Sequence, residues 1–304
     1  MLHTIVVPLD GSRFAEQALE PAHRIAHRLN AVLELAHVHE PPVSVYASGA
    51  PVLDSRLDVD LVANARAYLD LVAERERLRA KVQVNATLLE GPVVEALADH
   101  AARLDGASIV MTTHGRGGLG RALLGSVADG VVRSSSVPVL TIKARKDAEP
   151  GTAAGEFSRV LVPLAGTDFG AEIIDLAVAI AGSERVEYTL LHVLAPPPVM
   201  PPPEPVLEWL HDLAAPLRAR GIEVSTEVTF EASAARAILK LVEERGIGMV
   251  AMTTHGDRGV KRLLLGSVAD KVLRSVPAPV LLVRPPEAGG AEAPGAAGQA
   301  NVTR

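Results

Sequence analysis

The segments Thr112-Thr113-His114-Gly115 and Leu123-Leu124-Gly125-Ser126-Val127-Ala128-Asp129 recur, 141 positions on, as Thr253-Thr254-His255-Gly256 and Leu264-Leu265-Gly266-Ser267-Val268-Ala269-Asp270. Upstream, Ile5-Val6-Val7-Pro8-Leu9 and His37-Val38 recur 155 positions on, as Val160-Leu161-Val162-Pro163-Leu164 and His192-Val193. The two offsets differ because the first copy carries 14 extra residues between its second strand and the His-Gly motif. Copies of roughly 145 and 130 residues are far longer than solenoid units and large enough for separate cores, so the repeat reads as a domain duplication. The expected division is a first domain at 1–146, a linker at 147–157, a second domain at 158–286, and a disordered Ala/Gly-rich tail at 287–304.

Strand and helix patterns alternate within each copy. In the first, strands are expected at 3–8, 32–38, 82–88, 108–112 and 138–142. Helices are expected at 12–29, 57–79, from Pro92 to about 104, and at 126–134, with a loop from 39 to about 54. The second copy repeats the order, with strands near 159–163, 186–193, 222–229, 248–252 and 279–283. Such alternation predicts an α/β fold of two doubly wound, five-stranded parallel sheets, Rossmann-like, with ligands at the carboxyl ends of the strands.

Composition narrows the function classes. The chain of 304 residues is 48% hydrophobic and 22% charged, the balance of a globular protein. Aromatic residues are only 3% and the net charge is −6, so neither base stacking nor a global attraction to nucleic acid or anionic membranes is expected. Without cysteine there is no thiol catalysis, disulfide or Cys-ligated metal. No targeting signal and no run of 18 apolar residues is visible, which predicts a cytoplasmic protein with no membrane partner.

The chemistry concentrates after the fourth strand. Gly115, nine residues and then Gly125-Ser126 place a glycine-rich turn beside a helix N-terminus, where free amides and the helix dipole converge on an anion. Arg116 and Arg121 add local positive charge. Two better-known phosphate motifs do not apply. Gly115-Arg116-Gly117-Gly118-Leu119-Gly120 matches the dinucleotide fingerprint in letters but follows the fourth strand, not the first. The stretch ending Gly125-Ser126 lacks the lysine of a P-loop.

Taken together, Val-Pro-Leu-Asp-Gly-Ser after the first strand, His-Val at the second, and Thr-His-Gly, nine residues, Gly-Ser-Val-Ala-Asp before Val-Pro-Val-Leu resemble the universal stress protein family in tandem form. The resemblance covers nearly all of both copies. It implies ATP binding, with phosphate contacts at Gly115, Gly125, Ser126 and Val127 beside Thr112, His114 and Arg116. It also implies ribose or triphosphate recognition at Asp10, through Mg²⁺, and adenine against the backbone near Pro8, Leu9 and Val38. The matching second-copy positions are Pro163, Val193, Thr253, Gly256, Gly266, Ser267 and Val268.

This chain departs from the family pattern in three places. The motif's first glycine is Thr112 in one copy and Thr253 in the other, where a Cβ restricts the turn. Ala165 stands where the first copy has Asp10, and Asp257 where it has Arg116, so the first copy is expected to hold nucleotide more securely. The resemblance also implies pairing through the last strands, within the chain as a pseudo-dimer and between chains as a homodimer. The readings carried forward are a regulatory ATP-binding protein, a slow ATPase or nucleotidyl-transferring enzyme, and an assembly module with vestigial sites. Asp10 as a helix cap, Gly125-Ser126 as a plain helix start, and His23, His27, His37 and His39 as packed side chains without zinc are the structural alternatives.

Overall fold

The computed structural model describes residues 2–41, 43–45, 51–53, 55–79, 82–113, 124–144, 157–165, 170–196, 204–254 and 265–284. Most of the expected linker, the tail, and the loops holding His114, Gly115, Arg116 and Gly256 lie outside them. The first copy runs β1 (Thr4–Pro8), α1 (Arg13–Glu16), α2 (Leu19–Leu29), β2 (Val32–His39), β3 (Val43–Val45), β4 (Pro51–Leu53), α3 (Ser55–Arg79), β5 (Val84–Glu90), α4 (Val93–Arg103), β6 (Ala107–Thr112), α5 (Ser126–Ser134) and β7 (Val139–Ile142). The second runs β8 (Arg159–Pro163), α6 (Gly170–Ala181), β9 (Glu187–Leu194), α7 (Glu204–Ala219), β10 (Glu223–Phe230), α8 (Ala234–Arg245), β11 (Met249–Thr253), α9 (Ser267–Ser275) and β12 (Val280–Val283).

Two local differences from the expected elements have physical causes. The single helix expected at 12–29 is broken. Ser12 caps α1 by accepting from the Ala15 amide at 3.1 Å, and the chain then turns tightly, with Gln17 N–H on Phe14 O and Ala18 N–H on Ala15 O. Pro21 has no N–H to bond the preceding turn, so it is accommodated only in the first turn of a new helix, α2. The loop expected after β2 holds a short antiparallel hairpin, β3 with β4.

Ten strands form one sheet in the order β10-β9-β8-β11-β12-β7-β6-β1-β2-β5. Each copy contributes a parallel five-stranded half in which the order reverses beside the first strand: β1 lies between β2 and β6, and β8 between β9 and β11. The inner strands, such as β1, β6, β8 and β11, are apolar on both faces, as parallel strands covered by helices must be. Ile5, Val7, Leu33 and Leu35 pack under Ile25 of α2 and Leu69 of α3, while Val6 and Ile109 face Leu97 of α4 and Val131 of α5. Both layers continue without a break into the second copy, through Ile173 of α6 and Leu210 of α7 on one face and Ile238 of α8 and Val272 of α9 on the other.

The halves meet where β12 pairs antiparallel with β7, Val280 opposite Thr141, Leu281 opposite Leu140 and Leu282 opposite Val139. Around this seam the contacts repeat by a local two-fold axis. Arg133 binds Asp129 on its own helix at 2.8 Å and Asp270 across the seam at 2.9 Å, and Arg274 binds Asp270 at 3.0 Å and Asp129 at 2.9 Å. Lys143 donates to the Leu273 and Arg274 carbonyls at the end of α9, and Arg284 to the Arg133 carbonyl at the end of α5. Away from the seam, Arg28 of α2 donates to the Ile180 carbonyl of α6. Burial lowers the pKa of both Lys143 and Arg28. Since β7 has β6 and β12 as neighbours, and β12 has β11 and β7, neither last strand keeps a free edge. A homodimer through those strands is therefore incompatible with this sheet, and the intramolecular pairing takes its place.

Among the buried polar groups of the first copy, one carboxylate lies on a strand of the sheet. Glu34 on β2 is buried and accepts from the Thr87 hydroxyl at 2.6 Å, with His100 Nε2 at 3.1 Å.

Candidate functional site at the topological switch point

In a doubly wound sheet the chains leaving two adjacent strands in opposite directions open a crevice at the strands' carboxyl ends. Here that place lies between β1 and β6. Their register, Thr4 opposite Ala107 through Val6 opposite Ile109, brings Pro8 and Thr112 to the same sheet edge.

The chain leaves β1 through a fixed turn. Leu9 N–H bonds the Ala36 carbonyl at 2.8 Å, Gly11 takes φ +82°, a conformation open to glycine, and the Asp10 carboxylate accepts the Ser12 amide at 2.9 Å. Asp10 thus braces the turn while Ser12, not Asp10, caps the helix. Beyond β6 the two flanks of the next segment are tied to each other. Thr113 N–H bonds the Ile142 carbonyl at 2.8 Å, and Gly125 N–H bonds the Thr113 carbonyl at 2.7 Å, tying the two ends of segment 114–124 together.

Gly125 is the N-cap of α5 in extended conformation (φ −62°, ψ 148°) and has no side chain to accept from the first-turn amides. Its carbonyl takes the Asp129 amide at 2.9 Å, which leaves the amides of Ser126, Val127 and Ala128 directed out of the helix end. A helix end without a side-chain cap offers several N–H donors and the positive pole of the dipole to one anion, worth about 0.3–1 kcal/mol per favourable charge at an exposed site. Thr112 and Thr113 are buried behind this end.

Beside the crevice, Gly11, Val38, His39 and Glu40 form one wall of a cleft of about 490 Å³, and Leu61, Asn64 and Tyr68 of α3 form the other. His39 Nε2 is 2.7 Å from Asp58, and the His37 ring meets Tyr68 edge-on at 6.1 Å. Tyr68 donates to Glu16 at 3.1 Å, and burial together with that carboxylate pushes its phenol up from the ordinary range. No cluster of three metal-ligating side chains occurs among the described residues; His23 lies 3.5 Å from Glu76, and His37 and His39 are engaged by Tyr68 and Asp58.

The second copy rebuilds the same frame. Leu164 N–H bonds Leu191 O at 2.8 Å, Thr254 N–H bonds Val283 O at 2.9 Å, Gly266 N–H bonds Thr254 O at 2.8 Å, and Gly266 caps α9 without a side chain. Pro163 and Thr253 end β8 and β11, Val193 lies near the end of β9, and Ser267 and Val268 open α9. Two features differ. Ala165 removes the carboxylate, and His192 bonds the Leu164 carbonyl at 2.8 Å and stands edge-on to Trp209 at 5.7 Å. Because β7 and β12 run antiparallel, the two crevices open on opposite edges of the sheet.

The sequence reading missed the His39–Asp58 pair and the α3 wall of the cleft, because both depend on how α3 lies against β2. Among the described residues no helix is long and apolar enough to cross a membrane.

The family described as "Universal stress protein family" matches the chain twice, over residues 1–143 and 156–284. The curated universal stress protein Rv1996 of Mycobacterium tuberculosis is 27% identical, the match covering 93% of this chain and 95% of that protein. A solved universal stress protein from Archaeoglobus fulgidus shares the fold with a TM-score of 0.67 at 22% identity, over 92% of this chain and 96% of its own. A second, from Pseudomonas aeruginosa, gives 0.63 at 16% identity over 93% and 94%. With the family matched over most of its length and in both copies, the chain belongs to the universal stress protein family, in tandem form.

Proposed function

We propose that the chain binds an adenine nucleotide, ATP with Mg²⁺, at the switch-point crevice of the first copy, and that occupancy regulates a stress-response partner. The observation that carries this reading is the convergence of two devices on one sheet edge: the Gly125-capped N-terminus of α5 and the braced Asp10 turn. The fit is chemical. Amides of Ser126 and Val127 suit phosphate oxygens, the cleft lined by Val38 and α3 suits a flat heterocycle and its sugar, and a carboxylate at Asp10 suits a metal-bound triphosphate. Bound Mg²⁺ would screen the repulsion between Asp10 and the phosphates. The protein's own part is to present the amides, fix the carboxylate and close the loop ends through Gly125 and Thr113.

The second copy keeps the helix end and lacks the carboxylate, so it binds weakly or not at all. Hydrolysis is slow at most, since Asp10 is held in a turn and the P-loop lysine is absent from the sequence. The loss of Asp10's counterpart also favours a scaffold role for the second half.

Calorimetric titration of Mg·ATP into the full chain tests this. One strong site is expected, weakened about tenfold or more by Asp10→Ala, a change of about 1.4 kcal/mol. Two equal sites, binding indifferent to Asp10→Ala, or steady phosphate release of about one per second or faster would each overturn the proposal.

A further inference from the structure

Among the described residues, every large apolar side chain that stands exposed lies on one helix: Leu57, Val59, Leu61, Leu71 and Leu78, all on α3. This helix has 25 residues, about 37 Å, whereas its counterpart α7 has 16 and exposes none of that kind. Its inner face is well used, with Ala65, Leu69, Val72, Ala73 and Glu76 buried against β2 and β5. On the outer face Leu57, Asn64, Leu71 and Leu78 recur every seven residues, the period of a coiled-coil seam, with small Ala67 near its centre. Leu71 is 67% exposed and Leu78 81%, too much apolar surface along one line to attribute to scattered exposure.

We propose that this face pairs with α3 of a second copy of the chain, antiparallel and centred between Ala67 and Tyr68. The sequence of the helix is complementary to its own reversal. With the two-fold axis between Ala67 and Tyr68, Leu57 meets Leu78 of the second copy, and Asn64 meets Leu71. The same register sets Asp60 opposite Arg75, and symmetry makes this contact twice. Arg75 is already held at 2.9 Å by Glu16 and is 44% exposed, a positioned cation at the rim of the seam. Parallel pairing in register would instead set Asp60 beside Asp60 and align the two helix dipoles, both unfavourable. The last strands cannot serve a second chain, being paired on both sides. The extra residues of the first copy fall between β2 and β5, the stretch that holds α3.

The mass of the full chain in solution, measured by light scattering at tens of micromolar, should be twice 31.8 kDa. Leu71→Glu with Leu78→Glu, both at exposed positions, should return it to a monomer with unchanged circular dichroism and a dissociation constant raised about tenfold or more. Because the chain has no cysteine, the orientation can be read by cross-linking. A mixture of Leu57→Cys and Leu78→Cys chains should form a disulfide-linked dimer under mild oxidation, and either variant alone should not. A monomer at every concentration, a dimer indifferent to the two glutamates, or self-linking of either cysteine variant would overturn the proposal.

Discussion

A β-carbon added at Gly130, in the middle of α5, would lie 2.6 Å from Val94 Cγ2 and 3.1 Å from Val94 Cγ1 on α4. Carbon atoms in contact prefer about 3.5–4.0 Å, so Gly130→Ala overlaps its neighbour by about 1 Å. Valine in a helix is confined almost wholly to one χ1 rotamer and cannot swing aside cheaply. Relief of the helix-interior glycine is worth about 1 kcal/mol, and overpacking costs about 1–3 kcal/mol. The expected net effect is destabilisation by about 1 kcal/mol. In a Val94→Ala background the overlap is gone and the same substitution should stabilise by up to about 1 kcal/mol, so the effect changes sign. The second copy already carries the exchanged pair, with Lys271 at the position of Gly130 and Ala235 at that of Val94. Urea unfolding midpoints of the four proteins in the double-mutant cycle measure this directly. A Gly130→Ala chain more stable than its parent would refute the reasoning, because it would mean that α4 and α5 are not in the close contact on which the estimate rests.

Other substitutions probe the seam and the core. The hydrogen bond from Arg274 holds the Asp270 carboxyl below its ordinary range, with further help from Arg133, so its contribution is present above about pH 4 and lost as pH falls through the folded value. Asp270→Asn should therefore lower thermal stability at pH 6 by about 1 kcal/mol or less, the pair being partly exposed, with the difference from the parent fading in acid. A difference that persisted unchanged at pH 3 would contradict this. Glu34→Leu should cost about 1–3 kcal/mol by leaving the partly buried Thr87 and His100 without their acceptor, and Glu34→Gln, which retains an oxygen, should cost less in the same unfolding assay.

Much of the fold was legible because it rests on local chemistry that the duplication states twice. Apolar runs such as Ile5-Val6-Val7 mark strands covered on both faces, and Gly125-Ser126 marks the start of α5 to the residue. The break between α1 and α2 is marked in the sequence by Pro21, which the single helix expected at 12–29 runs straight through. Asp129 and Arg133 are visibly four residues apart on one helix, yet that each also meets the opposite copy depends on how two sheets meet edge to edge. The same holds for Arg28 on the Ile180 carbonyl, which joins residues 152 positions apart. At the candidate site, spacing identified the helix end and the Asp10 turn. It did not distinguish whether Asp10 or Ser12 caps α1, since both types favour that role.

The β7–β12 seam has a consequence for how the two halves can change over time. Two separate single-copy chains would find each other only as fast as their concentrations allow, whereas halves joined by a short segment face each other at an effective concentration of about millimolar order. Covalent linkage thus guarantees each half its neighbour, whatever becomes of its own crevice. A substitution such as Ala165 for the acidic residue can then persist in one half while that half still completes the sheet and the two core layers beneath the other. Duplication allows the task of supplying a structural partner to be separated from that of keeping a ligand pocket intact.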